Sequence, residues 1–206
     1  MAAHQNVLLG AVGAITLIGL AVAAGAFTPL YLTSLPDFPA SLRVPFLIGI
    51  GVTASLGGIL LPALSDRLGR KACLLVACLC AATAPVTLIL MTYSPWWAVL
   101  ALVLHVGAAG ALTLMVYVIP GETVPARMVA STFAVLLFIG ELVGGAIAPP
   151  LAGWFADQMG LAAALWVCCG FGVAALLAAL FVWEPREALT EEIREDLLAA
   201  GPEGLL

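Results

Sequence analysis

Charge is what this sequence has least of. Only 9% of its 206 residues are Asp, Glu, Lys or Arg and 64% are hydrophobic, against roughly 25% charged and 45–50% apolar in a soluble domain. Residues 1–36, 44–65, 72–121 and 158–183 contain no Asp, Glu, Lys or Arg. No soluble core hides that much apolar surface, and the mean hydropathy of +1.18 agrees. Basic residues number seven and form no extended patch, which excludes nucleic-acid binding. Histidine is limited to His4 and His105. The five cysteines (Cys73, Cys78, Cys80, Cys168, Cys169) all lie inside apolar runs with no His or carboxylate at metal-ligand spacing. They are expected to pack as small apolar residues, with no metal site and no cofactor. A basic segment ahead of the first apolar run is also lacking, and that run is too long for a cleaved signal peptide, so it is expected to remain as a helix.

What is present is a series of apolar runs. A bilayer core about 30 Å thick takes about 20 residues as a helix, and lipid satisfies no backbone polar group, so each long run is expected to span. The expected fold class is all-α, a polytopic membrane protein with six spans at about 7–30, 44–64, 72–92, 97–119, 129–151 and 161–183. Pro29, Pro36, Pro39 and Pro45 bracket the first expected loop, Ser94-Pro95 the third, and Pro120-Gly121 with Pro125 the fourth. Trp96 and Trp97 suit a membrane interface.

Six of the seven basic residues (Arg67, Arg70, Lys71, Arg127, Arg186, Arg194) fall on one side of these spans and only Arg43 on the other. The positive-inside rule then places both termini in the cytoplasm. Residues 1–184 form the expected bundle and 185–206 an acidic cytoplasmic tail, which accounts for most of the net charge of −5. Leu189, Ile193 and Leu197 recur at four-residue spacing in that tail, the pattern of a short amphipathic helix.

The densest chemistry lies between the second and third spans, where Asp66, Arg67, Gly69, Arg70 and Lys71 crowd into a few residues. So short a turn needs the positive φ that Gly69 permits. A second charged stretch, Pro120-Gly-Glu122-Thr-Val-Pro125-Ala-Arg127, precedes the fifth span. Within that span, Gly140 and Gly144 make a small-xxx-small pair for close helix packing.

The stretch from Asp66 to Lys71 resembles the signature loop of the major facilitator superfamily, in which Asp, Arg, any residue, Gly and two basic residues follow a Gly four positions earlier. Pro62 stands where that Gly would be. The run from Gly140-Glu141 through Pro149-Pro150 to Gly153 and Asp157 is similar to the tenth to eleventh helices of the superfamily, and most like its anion:cation symporters. Glu184-Pro185-Arg186 resembles the family's closing motif. The resemblance implies the C-terminal six of twelve helices, hence a partner in a second six-helix half or in self-association. It also implies that the first and fourth helices of the half line the cavity, and that Asp66, Arg67, Gly69, Arg70 and Lys71 form a cytoplasmic gate, with Glu122 and Arg127 as charges of the next loop.

Two polar groups are expected at membrane depth, where an ionisable side chain is costly. At 1.5 Å per residue, His105 lies about 12 Å into the fourth span and Glu141 about 18 Å into the fifth. Both are candidates for solute or proton binding, His105 as a cavity residue and Glu141 as a proton carrier. Each also has a structural alternative, a hydrogen bond to a neighbouring helix. Thr16, Thr113 and Tyr117 are further hydroxyl candidates, although hydroxyls in membrane helices usually bond to backbone carbonyls. The expected function is one half of a proton- or ion-coupled secondary transporter in the cytoplasmic (plasma) membrane, moving a small organic anion. A non-transporting scaffold or an inactive fragment is the alternative. An intramembrane serine protease is excluded, because Ser55 lacks the Gly two residues before it and only two histidines are available.

Overall fold

The computed structural model describes residues 2–94 and 96–185. They form six helices long and apolar enough to cross a membrane. These are α1 (Ala2–Ser34), α2 (Ala40–Leu68), α3 (Arg70–Leu90), α4 (Trp97–Thr123), α5 (Ala126–Met159) and α6 (Leu161–Leu180). No strand occurs among the described residues. The expected amphipathic helix at 189–197 lies outside them.

Most helices are longer than the apolar runs that mark them, because backbone hydrogen bonding continues into charged turns whose side chains reach the polar interface. The clearest correction concerns the loop expected between the second and third spans. Asp66 and Arg67 belong to the last turn of α2, and Gly69 alone, at φ +95°, separates α2 from α3. Likewise Asp157 lies in the last turns of α5 rather than in a loop.

Proline placement is the second correction. Pro29 and Pro45 lie inside α1 and α2, and Pro120 lies inside α4. A proline in a helix interior lacks an N–H and crowds the carbonyl four residues back. In α4 a π-helical turn, Thr113–Val118, comes just before Pro120. In α5 the π-helical turn Gly140–Gly145 precedes Pro149 and Pro150. Each wider turn changes the local hydrogen-bond register, which lets a helix run on through the proline.

α1 packs chiefly on α6 and α5, α3 on α4 and α6, and α2 on α4. α1 and α2 touch little, so a cleft opens between them. Close approach depends on missing side chains: a Cβ on Gly144 would overlap the Ile15 carbonyl, and one on Gly57 the Val106 carbonyl. The α5–α1 contact therefore uses the Gly140/Gly144 pair that the sequence pattern marks. α2 and α5 are the least buried spans.

Candidate functional site

Arg70 organises one end of the bundle. It opens α3, and its guanidinium ties that helix to two others, α2 and α4. Nε donates to Glu122 Oε2 at 3.0 Å and Nη2 to Glu122 Oε1 at 2.5 Å, a bidentate fork across to α4. Nη2 also lies 2.5 Å from Asp66 Oδ1 on α2. Nη1 donates to the Pro62 carbonyl at 3.0 Å and to Ser65 Oγ. The Arg70 side chain is only 16% exposed, while Asp66 is 61% and Glu122 40% exposed.

Glu184, just past α6, completes the cluster. Its carboxylate accepts the main-chain N–H of Arg70 at 2.8 Å and of Lys71 at 2.9 Å. Those are two of the unpaired donors that every helix start leaves, and the helix dipole favours a negative group there. A cleft of about 550 Å³ lined by Asp66, Arg67, Arg70, Glu122 and Glu184 lies over the cluster. The sequence reading couples the two charged stretches only by analogy, whereas here Glu122 and Asp66 share one arginine. Arg67 and Arg127 are exposed and have no ion-pair partner among the described residues.

Sequence reading passed over Asn6. It is 1% exposed, and its side-chain amide donates to the Trp183 carbonyl at 3.0 Å and accepts the Trp183 N–H at 2.9 Å. Gln5 accepts from Trp183 Nε1 at 3.1 Å. The start of α1 thus holds the chain that carries Glu184. The available signal was a pair of amides, Gln5 and Asn6, opening an otherwise apolar run.

The membrane-depth candidates separate. His105 lines a cavity of about 460 Å³ between α1, α2, α3 and α4. Its Nδ1 lies 2.6 Å from the Ala101 carbonyl; since a carbonyl only accepts, Nδ1 carries a hydrogen, and in the neutral ring Nε2 is then the acceptor. Glu141 lies in the π-helical turn of α5 and is exposed. A Cβ on Gly145 would stand 3.0 Å from Glu141 Oε2 and 3.9 Å from Val22 on α1. Ala21 and Gly25, both exposed, edge the cavity on that same helix. The carboxylate and the cavity mouth therefore flank one exposed strip of α1.

The hydroxyl candidates are turned to their own surroundings. Thr16 donates to the Val12 carbonyl at 2.8 Å and Thr113 to the Ala109 carbonyl at 3.2 Å. Tyr117 stacks edge-on against Phe133, with ring centroids 5.5 Å apart.

Comparison with known proteins gives one family match, to the Major Facilitator Superfamily over residues 2–143. No curated protein and no solved structure matches the chain. Because that match spans well over half of the 206 residues, the chain belongs to the major facilitator superfamily of transporters, and with its six helices long and apolar enough to cross a membrane it is an integral membrane protein.

Proposed function

We propose that the chain is one six-helix half of a secondary transporter that moves a small organic anion by proton- or ion-coupled alternating access. Both termini face the cytoplasm, and the cluster at Arg70 lies on the cytoplasmic side of the plasma membrane. A second six-helix half or a second copy supplies the opposite wall, set against the exposed strip of α1. The observation that carries this reading is the cavity that His105 lines between four of the membrane-length helices, edged by exposed residues of α1. Solute binds from that strip, and Glu141 beside it loads and releases the coupling proton as the site opens to each side.

In this reading Asp66, Arg67, Gly69, Arg70 and Lys71 act as the gate, with Glu122 and Arg127 as its second row. The exposed Asp66 edge breaks and reforms contacts with the opposite half, while Arg70 keeps its own half together. The test is uptake of radiolabelled organic acids into liposomes holding the reconstituted protein, with and without an inward proton gradient. Accumulation above equilibrium that needs the gradient supports coupled transport. Liposomes that take up no organic acid beyond protein-free controls refute it.

A further inference from the structure

The cavity beside His105 carries two polar side chains in an otherwise apolar wall, His105 and Thr28. Thr28 is 4% exposed. Most threonines of the bundle, among them Thr16, Thr53, Thr83 and Thr113, donate to a carbonyl of their own helix. Thr28 makes no such bond among the described residues, and both Thr28 and His105 line the cavity. α1 ends at Ser34 where α4 begins near Trp97, so at 1.5 Å per residue Thr28 lies roughly 9 Å and His105 roughly 12 Å below the same end of the bundle. Both groups therefore lie in the half of the bundle nearest that end, on the wall of one cavity.

Among the described residues, no Asp, Glu, Lys, Arg, Cys or Tyr from α1, α2, α3 or α4 lines this cavity, and His105 is the one titratable group in its wall. A charge brought into such a wall without a partner costs several kcal/mol, whereas a neutral group with its hydrogen bonds made does not. The wall offers one acceptor, His105 Nε2, and one O–H donor, Thr28 Oγ1. A protonated carboxyl group is the complement of that pair, since its O–H donates and its C=O accepts. The remaining lining, including Leu17, Leu20, Ile50 and Leu88, suits a hydrocarbon body.

We infer that the cavity binds a carboxylic acid with a single carboxyl group and an apolar body, held as a net-neutral species by His105 and Thr28. This deepens the organic-anion reading above and rests on it for the carboxyl group. One proton accompanies the bound acid. If it shifts, the carboxyl O–H bond breaks as an Nε2–H bond forms, leaving an imidazolium–carboxylate pair of the same zero net charge. A second carboxylate finds no cation in this wall, so the chain by itself disfavours dicarboxylates.

The experiment is equilibrium binding of radiolabelled hexanoate to the purified full chain in detergent at mildly acid pH, with unlabelled octanoate and adipate as competitors. Saturable hexanoate binding displaced by octanoate and not by adipate is expected. His105→Leu, which keeps bulk and removes the acceptor, weakens binding about tenfold or more, as does Thr28→Val to a smaller degree. His105→Gln, which keeps an acceptor, retains most of the affinity and controls for folding. Unchanged affinity in His105→Leu, His105→Gln as weak as His105→Leu, displacement by adipate equal to that by octanoate, or no saturable hexanoate binding would each overturn the inference. Uptake separates the two readings. His105-dependent binding with no transport in liposomes leaves the cavity assignment standing and removes the transporter function, while transport without such binding does the reverse.

Discussion

Glu184, after the last described helix, caps the first turn of α3 by accepting the N–H groups of Arg70 and Lys71 at 2.8 and 2.9 Å. The residues are more than a hundred positions apart in the chain, and the bonds tie the segment after α6 to the start of α3. Gly69 stands at the N-cap of α3 and has no side chain to do this itself. The backbone freedom that makes the one-residue turn possible thus leaves a vacancy that a distant carboxylate fills.

Glu184→Ala removes that cap. A lost N-cap costs about 1 kcal/mol, so the thermal midpoint of the detergent-solubilised protein should fall by several degrees. Glu184→Gln, which keeps one acceptor oxygen, should fall less. Equal midpoints for wild type and the alanine variant would show that the cap contributes nothing.

At the gate, Asp66 and Arg70 are expected to behave differently. Asp66→Asn weakens one contact of Arg70 and leaves the Glu122 fork and the Pro62 carbonyl, so Arg70 stays paired. Expression and insertion should be near normal while transport falls. Arg70→Lys loses the fork and should lower both, because an ammonium cannot reproduce bidentate pairing. Wild-type transport in Asp66→Asn would reduce that carboxylate to a surface charge.

Glu141→Gln keeps shape and most hydrogen bonding but cannot titrate. Counterflow exchange of solute should survive, and accumulation driven by a pH gradient should disappear. A Gln variant that still concentrates solute against its gradient would leave Glu141 as a packing residue and move coupling to His105 or the opposite half.

Topology is testable by single-cysteine labelling. After removal of the native cysteines, four of which are buried, a cysteine at exposed Arg127 should label only from the cytoplasm and one at exposed Asp157 only from outside. Ser65, at 1% exposure, is a poor reporter. Labelling of position 157 from the cytoplasmic side alone would invert the proposed orientation.

Much of the architecture is legible in the chain itself. Apolar runs and the bilayer thickness determine six all-helical spans, because a backbone in lipid has no alternative to satisfying its own hydrogen bonds. The Gly140/Gly144 spacing marks a close-packing face, and the short charged stretch before Lys71 demands a glycine at a tight turn. Both are local, periodic properties, readable without knowing which helix lies next to which. Helix ends are less legible: Pro29, Pro45 and Pro120 read as marks of loops, yet all three lie inside helices, and in α4 a π-helical turn comes just before Pro120.

Tertiary structure decides what each polar group faces. Asp66 and Glu122 meet on one guanidinium only because α2, α3 and α4 converge at that end of the bundle. Asn6 finds Trp183, and Thr28 comes to line the same cavity as His105, only through packing of segments distant in sequence. Hydropathy measures how a residue prefers lipid to water. It carries no information about which neighbour removes a polar group from lipid, and that is fixed only when the helices pack.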